Sequence, residues 1–356
     1  MSIITIIGAG MMGSAMSWPA TDNGHIVRLV GSNLNDSVIE NIKKTGIHPA
    51  LKCRLPENVF PFFFSEIREA IPETELFVCG VSSFGLEWFA TEVLPLLPQD
   101  AHLMVLTKGL LSNHDGYLHT TLHYFNEYRP DLNISAVGGP CICSELIGRH
   151  LTMVSCCAAE LSTAQHLKTL LNTDYYHLQS TTDVIGVECA VAIKNTYAVG
   201  VALALGMAER EAGITDARPS TWQTDADTSN FTPYYNHQAA LFAQSCLEMR
   251  RLVRLFGGNE DVVSGLAGAG DLYVTSQGGR NGRLGVLLGR GRSMEQIQAA
   301  LGDITLESVP ITKRVAEAVR IRAKHGEVSL KQFPLLLHLD ALISQQPSTI
   351  DWESFG

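Results

Sequence analysis

The chain has 356 residues, of which 46% are hydrophobic and 17% are charged, and its formal net charge is −10. This composition excludes a disordered protein, and the length favours two domains over one core. The negative charge argues against a sequence-independent nucleic-acid binder, because such proteins gain their affinity by neutralising phosphates.

The eight cysteines show no pattern typical of a metal site. Cys141 and Cys143 are separated by one residue and Cys156 and Cys157 are adjacent, but no cysteine stands at zinc-ligand spacing from a histidine. We therefore expect reduced thiols and no metal. The N-terminus enters a strand without the basic start and cleavage site of a signal peptide, so we expect a soluble cytoplasmic protein.

The first 30 residues predict the strand–turn–helix–strand unit of a dinucleotide-binding fold. Residues 2–7 predict a strand buried on both faces, and residues 25–30 predict the next strand. Between them, Gly8, Gly10 and Gly13 form a G-x-G-x-x-G motif. The first glycine permits a tight turn, the second lets the backbone approach a pyrophosphate, and the third lets helix and strand pack closely.

The cofactor is expected at the start of this helix and at the end of the second strand. The helix N-terminus, at Met11 and Met12, offers unpaired N–H groups and a dipole that favour an anion. An NAD site usually has Asp or Glu after the second strand, whereas this chain has Ser32 and Asn33, with Asp36 later and no obvious arginine for a 2′-phosphate. Both NAD and NADP stay open, with a slight preference for NADP.

Further strands and helices alternate up to about residue 180. The strands are predicted at residues 76–81, 102–107, 133–137, 151–156 and 175–179. The helices are predicted at residues 36–44, 65–70, 86–94 and 162–171. This alternation predicts an α/β, doubly wound sheet, whose ligands bind beyond the carboxyl ends of the strands. Lys108 follows one such end, although a surface lysine in a loop is an equal alternative.

Residues 187–206 predict a helix that is apolar almost all the way round, which indicates burial on every face. Its charged side chains are Glu188 and Lys194. A lysine there must find a partner or lower its pKa, and both outcomes suit a group that exchanges protons with a substrate. A lysine that reaches out of a core helix is the structural alternative. These polar residues, with Asn195, argue against a membrane span.

Strand signals end near residue 183, and helical periodicity continues from there. We therefore expect a Rossmann-type NAD(P)-binding domain at residues 1–186 and an all-α substrate and catalytic domain at residues 187–356. Residues 213–236 are polar, include Trp222 and lack periodicity, which predicts a long loop that covers either the site or a partner subunit.

A second glycine-rich stretch spans residues 265–283. If a helix starts near Asp271, then Thr275 lies on the same face one turn later. Arg280, beside Asn281, has the planar guanidinium suited to a phosphate or a carboxylate. The alternative is a solvated basic patch with the arginines that follow, which are Arg283, Arg290 and Arg292.

In order and spacing, these motifs resemble the NAD(P)-dependent glycerol-3-phosphate dehydrogenases along nearly the whole chain. The matching motifs are Gly8-Ala-Gly10-x-x-Gly13-Ser-Ala, Thr107-Lys108-Gly109, Gly139-Pro140 with Glu145, Ala192-Ile193-Lys194-Asn195, Gly-Leu-Ala-Gly-x-Gly270-Asp271-Leu, and Gly279-Arg280-Asn281 leading into Leu287-Leu288-Gly289-Arg290-Gly291. The resemblance implies a Rossmann-type domain joined to a helical domain, NAD or NADP as cofactor, and a homodimer.

The resemblance also implies which residues act on the substrate. Lys194 is similar to the family's proton-transferring lysine, and Lys108 is similar to its companion at the substrate. Asp271 and Thr275 correspond to the polar residues that orient that lysine and the substrate.

Other residues are implied to bind rather than to react. Arg280 is similar to the phosphate-binding arginine, and Asn195 and Asn281 to hydrogen-bonding partners of substrate or cofactor. Glu307 stands where the family has a glutamate near the nicotinamide ribose.

The implied activity is the reversible NAD(P)H-dependent reduction of dihydroxyacetone phosphate to glycerol 3-phosphate. The chain departs from the family at residues 141–144, at residues 213–236 and at Ser308, where the family has glycine. These departures leave the dehydrogenase chemistry intact but leave open a dehydrogenase of another small phosphorylated or carboxylated polyol. A non-catalytic cofactor-binding regulatory protein is a further alternative, against which the joint presence of Lys194, Lys108, Asp271 and Arg280 argues.

Overall fold

The computed structural model describes residues 1–112, 116–214, 234–302, 306–346 and 350–356, and they divide into two units. The first unit comprises Met1–Leu111 and His119–Glu188, and the second comprises Ser112–Leu118 and Cys189–Gly356. The sequence predicts a division after residue 186. In the structure, residues 187–188 belong to the first unit and Ser112–Leu118 to the second. The assignment of domains with separate roles stays a prediction.

Twelve strands occur in the described chain. They are β1 (Ile3–Ile7), β2 (Ile26–Val30), β3 (Ile47–His48), β4 (Cys53–Arg54), β5 (Val59–Phe62), β6 (Thr74–Cys79), β7 (His102–Val105), β8 (Leu110–Ser112), β9 (Leu118–Thr120), β10 (Asn133–Gly138), β11 (Thr152–Ala158) and β12 (Tyr176–Thr181). Eight of them form one sheet in the order β12-β11-β10-β7-β6-β1-β2-β5, parallel except between β10 and β11. Six neighbouring strands of this sheet are, from one edge, β5, β2, β1, β6, β7 and β10. Numbered by their occurrence in the chain, they have the order 3-2-1-4-5-6 of dinucleotide-binding folds.

The centre of this sheet is covered on both faces, as the apolar runs predict. In register, Ile4 faces Val27 and Leu76, while Ile6 faces Leu29 of β2. All five side chains are fully buried and belong to one core cluster. Alternate residues of neighbouring strands therefore form continuous apolar rows across the sheet.

Fifteen α-helical segments are described. They are α1 (Met11–Ala15), α2 (Ser17–Asp22), α3 (Asp36–Thr45), α4 (Ile67–Ala70), α5 (Leu86–Trp88), α6 (Thr121–Tyr128), α7 (Cys143–Ile147), α8 (Leu161–Leu171), α9 (Val184–Glu211), α10 (Tyr235–Leu255), α11 (Asp271–Ser276), α12 (Gly279–Gly289), α13 (Met294–Leu301), α14 (Ser308–Lys324) and α15 (Pro334–Ile343). The two-domain fold class, a Rossmann-type sheet followed by a helical unit, is confirmed.

Two predictions of local structure were wrong in instructive ways. Strand β5 was missed because Pro61 lowers strand propensity, and β5 lies at the edge of the sheet, where proline is tolerated. The helix predicted at residues 86–94 is α-helical only in α5 and continues as a π-helical turn, Phe89–Val93. Pro95 then ends the regular hydrogen bonding, because it has no N–H group.

Helix α9 is the organising element of the second unit and begins in the first. By length and composition it alone among the described helices could cross a membrane, but its most apolar window is entirely buried in the structure. That burial is typical of a core helix in a soluble protein. The loop predicted at residues 213–236 lies mostly outside the described residues, and Tyr235 and Asn236 already belong to α10.

Candidate functional site

The glycine turn after β1 has the close backbone contacts that its sequence predicts. Gly8 has φ +113°, and a Cβ there would lie 2.7 Å from the carbonyl carbon of Gly80. A Cβ at Gly13 would lie 2.2 Å from the carbonyl oxygen of Gly8. Gly80 was missed from the sequence, although a glycine directly after a buried strand was a possible signal. A side chain at any of these three positions would push the turn apart.

Gly10 differs from the other glycines because it faces open space. The nearest atom to a Cβ at Gly10 is the carbonyl oxygen of Gly80, at 3.9 Å. Gly10 precedes α1, whose N-terminus receives no side-chain cap from the described residues, with Met11 exposed and Met12 half-buried. These features fit a dinucleotide, since the uncapped N–H groups and the volume above Gly10 can accept a pyrophosphate.

Two side chains that sequence analysis did not single out hold this turn in place. The Asn35 Oδ1 atom accepts hydrogen bonds from the Ala9 N–H, at 3.0 Å, and from the Ser32 hydroxyl, at 2.8 Å. The buried His48 accepts from the Leu51 N–H through Nδ1, so its Nε2 carries the proton and donates to the Ala9 carbonyl, at 3.1 Å. The Ser32 hydroxyl therefore faces the turn.

Alanine at Gly10 and alanine at Gly13 should separate cofactor binding from folding. We expect Gly10→Ala to keep its melting temperature but to weaken NADH or NADPH binding by about tenfold or more, since the methyl group takes space that the pyrophosphate needs. Gly13→Ala should lower the free energy of unfolding by about 1–3 kcal/mol, because its Cβ meets backbone. Thermal melts and fluorescence titrations measure both effects, and equal loss of stability in the two variants would contradict this interpretation.

Lys108 lies at the same edge of the sheet as the glycine turn. It follows β7 and its Nζ donates to the carbonyl oxygen of Gly139, which follows β10, at 3.3 Å. Because β1, β6, β7 and β10 are parallel, their carboxyl ends meet at one edge. The position of Lys108 beyond a strand end is thus confirmed, while its role stays a proposal.

Lys194 forms a buried ionic cluster within the second unit. Its Nζ donates to Asp271 Oδ1 at 2.8 Å and to Thr275 Oγ1 at 2.5 Å, and the Thr275 hydroxyl lies 3.4 Å from Asp271 Oδ1. The side chains of Lys194 and Asp271 are only 6% and 2% exposed. The lysine therefore does not reach out to solvent, and the alternative of a snorkelling lysine is excluded. Taking both charges out of water costs free energy, and buried ionic groups of this kind occur frequently at functional sites.

The cluster depends on a tight turn before α11. Residues Leu266–Gly270 form a π-helical turn, and α11 starts at Asp271, which places Asp271 and Thr275 on one face as predicted. A Cβ at Gly268 would lie 2.3 Å from the Val263 carbonyl oxygen. Single π-helical turns occur frequently at functional sites, because they redirect the side chains that follow.

Helices α9 and α12 pack backbone to backbone. A Cβ at Gly285 would lie 2.3 Å from the Val199 carbonyl oxygen, and a Cβ at Gly206 would lie 2.0 Å from the Val286 carbonyl oxygen. This close packing brings the start of α12 beside Lys194 and its neighbour, where Asn281 Nδ2 donates to Asn195 Oδ1 at 2.9 Å.

Arg280 is exposed in the first turn of α12, next to Asn281. A guanidinium and a helix N-terminus both attract anions, so together they can bind a phosphate. The alternative of a solvated basic patch does not hold for Arg290, which is buried and forms an ion pair with Glu209 at 2.7 Å. Glu307 directly precedes α14 in the second unit.

One group of potential metal ligands occurs among the described residues, on the surface of the first unit. Atoms of His119, His123 and Glu127 lie within 4.8 Å of one another. His123 and Glu127 are one turn apart on α6 and form a pair at 3.3 Å, which explains their proximity without an ion. The expectation that no metal takes part stays a prediction.

Two family models match nearly the whole chain. The model of the N-terminal part of NAD-dependent glycerol-3-phosphate dehydrogenase matches residues 3–164, and the model of the C-terminal part matches residues 183–351.

Curated relatives and solved structures agree with these matches. An NADP(+)-dependent glycerol-3-phosphate dehydrogenase of Archaeoglobus fulgidus is 30% identical over 90% of this chain and 90% of its own length. A glycerol-3-phosphate dehydrogenase [NAD(P)+] of Streptococcus pneumoniae is 30% identical over 94% of this chain and 92% of its own. The structure of a glycerol-3-phosphate dehydrogenase from Coxiella burnetii shares the fold, with a TM-score of 0.78 at 22% identity, over 99% of this chain and 97% of that one.

Proposed function

The chain belongs to the NAD-dependent glycerol-3-phosphate dehydrogenase family, and we propose that it catalyses the reversible NAD(P)H-dependent reduction of dihydroxyacetone phosphate to glycerol 3-phosphate. The observation that carries this proposal is the buried Lys194–Asp271–Thr275 cluster, since an ammonium held in place inside a protein can deliver a proton. The relatives' names support the reaction class and a cofactor that is NAD or NADP.

The residues of the second unit divide the work on the substrate between them. Lys194 donates a proton from Nζ to the carbonyl oxygen as that oxygen becomes an alkoxide, and it is reprotonated from solvent. Asp271 and Thr275 hold the ammonium in one orientation. Arg280 and the N-terminus of α12 bind the phosphate of the substrate. Asn195 and Asn281 form hydrogen bonds with the substrate or the cofactor.

The residues of the first unit bind the cofactor and assist the reaction. When bound at the glycine turn, NAD(P)H supplies the hydride. The turn of Gly8, Gly10 and Gly13 accepts the pyrophosphate, and Lys108 stabilises the negative charge that develops on the substrate oxygen. Glu307, in the second unit, is proposed to contact the nicotinamide ribose.

The test is a spectrophotometric assay of NADH and NADPH oxidation with dihydroxyacetone phosphate. We expect turnover with at least one cofactor and little or none with dihydroxyacetone, which lacks the phosphate that Arg280 binds. A panel of other phosphorylated and carboxylated ketones separates the related dehydrogenases. If none of these substrates is reduced although the cofactor binds, the proposal fails.

We also propose that the protein is a cytoplasmic homodimer, on the family resemblance alone. Light scattering of the purified chain should give twice the mass of one chain, and a monomer would contradict the proposal.

A further inference from the structure

Glu188 is a buried acid of the first unit that the proposed mechanism does not use. It is only 2% exposed. Its Oε1 accepts from the Thr121 N–H at 3.2 Å and its Oε2 from the Leu122 N–H at 3.1 Å, which are the first two N–H groups of α6. The Thr120 hydroxyl also bonds to the carboxylate. The carboxylate therefore caps α6 from another helix, and its partners are donors.

The cap is linked to Lys108 through one hydroxyl group. The Thr121 hydroxyl donates to the carbonyl oxygen of Gly109, the residue after Lys108, at 3.4 Å, while the N–H of the same threonine donates to Glu188. The tip of the Lys108 side chain is held as well, since its Nζ donates to the Gly139 carbonyl oxygen. The start of α6 is therefore hydrogen-bonded to the backbone next to Lys108.

We propose that Glu188 is a positioning residue that holds Lys108 in its working place, by fixing the N-terminus of α6 and, through Thr121, the backbone at Gly109. This inference rests on the proposed function, in which Lys108 stabilises charge on the substrate. Glu188 touches neither substrate nor cofactor in this proposal, so its removal should slow the reaction without weakening cofactor binding.

The ionisation of Glu188 should control this arrangement. Burial raises the pKa of the Glu188 carboxyl to about 7, although its hydrogen-bond donors lower it. Glu188 interacts with the Cys157 thiol on β11, whose pKa is raised by burial and by the charge of Glu188. Asp183 raises the pKa of the same thiol. Protonation of Glu188 would turn one carboxylate oxygen into an O–H donor that faces other donors. Part of the cap on α6 would then be lost. We therefore expect kcat to fall as the pH drops below about 7.

The chain offers a matched control in Glu248. This acid is fully buried on α10 and accepts from the Leu335 and Leu336 N–H groups, at 2.8 and 2.9 Å, so it also caps a helix, α15. It accepts further from the Tyr197 hydroxyl of α9, at 3.0 Å. Helix α15 carries none of the proposed site residues. Glu248→Gln thus removes a carboxylate cap from a helix N-terminus, as Glu188→Gln does. The helix that it affects, α15, has no described hydrogen bond to Lys108 or to Gly109.

The experiment compares Glu188→Gln, Thr121→Val and Glu248→Gln with the natural protein, by kcat and KM across about pH 5.5–9 and by hydrogen exchange of peptides covering residues 107–111. We expect Glu188→Gln to lower kcat about tenfold at pH 8 with KM for the cofactor within about twofold, to lose the inflection near pH 7, and to speed exchange at residues 107–111. Thr121→Val should lower kcat in the same direction and keep the inflection. Glu248→Gln should lose similar thermal stability but keep the inflection near pH 7 and unchanged exchange at residues 107–111.

Three outcomes would overturn the inference. Equally faster exchange at residues 107–111 in Glu188→Gln and Glu248→Gln would show a general structural effect. If Glu188→Gln fails to fold, then an unchanged kcat and unchanged exchange in Thr121→Val decide against the link. If the natural protein itself does not reduce dihydroxyacetone phosphate, the proposed function fails separately, and unchanged exchange at residues 107–111 would then decide against the positioning role alone.

Discussion

Lys194→Met is expected to lower kcat about 1,000-fold, within the range that a positioned general acid contributes. The ammonium that bonds to Asp271 and Thr275 would be replaced by an apolar group of similar length, so proton delivery to the substrate oxygen stops. NADH or NADPH affinity should change little, because the glycine turn lies in the first unit. Steady-state kinetics with dihydroxyacetone phosphate and a cofactor titration measure the two quantities, and a variant that keeps a tenth of kcat would exclude the role.

A folding control belongs with this experiment. In Lys194→Met the carboxylate of Asp271 stays buried without its lysine, which should lower the free energy of unfolding by about 3–5 kcal/mol. The double variant Lys194→Met with Asp271→Asn removes that buried charge and should recover most of the stability. Its kcat should stay as low as that of the single variant. Recovery of activity along with stability would mean that the lysine is structural.

Arg280→Ala is expected to raise KM for dihydroxyacetone phosphate about 30- to 100-fold, with a much smaller effect on kcat. The loss of charge-assisted hydrogen bonds to a phosphate is worth about 2–3 kcal/mol, and each 1.4 kcal/mol is a factor of ten. Arg280 is exposed at the start of α12, so its removal should leave the melting temperature unchanged. Initial rates across a range of substrate concentrations give both constants.

Arg283→Ala is the matched control, since it removes an arginine three residues later on the same helix. It should leave KM within about twofold, because bulk positive charge near a phosphate contributes far less than a direct contact. Dihydroxyacetone provides the second control. If Arg280 binds the phosphate, the natural protein and Arg280→Ala should be equally poor with this substrate. A KM rise of similar size in both arginine variants would indicate only a general field effect.

The predictable parts of the molecule are those with a short-range pattern. Buried parallel strands appear as unbroken β-branched runs, so β1 and β2 were found within one residue of their bounds. The glycine turn was found because its spacing is set by local geometry. The pairing of Asp271 with Thr275 followed from helical spacing, although its partner Lys194 is 77 residues away from Asp271 and was identified through apolar context and family resemblance.

The parts that were missed depend on contacts between distant residues. Asn35 and His48 hold Ala9, yet nothing in their neighbourhood in the sequence distinguishes them from other polar residues near a turn. Glu188 caps α6 through Thr121 and Leu122, which are 67 and 66 positions away in the sequence. The sequence showed only an acid in an apolar helix. Buried acids of this kind have structural partners that appear only when the chain is folded.

The apolar character of α9 has a consequence for synthesis of the protein. This helix is complete at Glu211, but the surfaces that cover it come later, from Gly285 and Gly289 of α12 and from Leu335 and Leu339 of α15. A growing chain therefore carries an apolar segment of 28 residues. Gly285 of α12 follows Glu211 by more than 70 residues, and Leu335 of α15 follows it by more than 120. Until those residues are made, α9 is exposed to aggregation, whatever the stability of the folded protein.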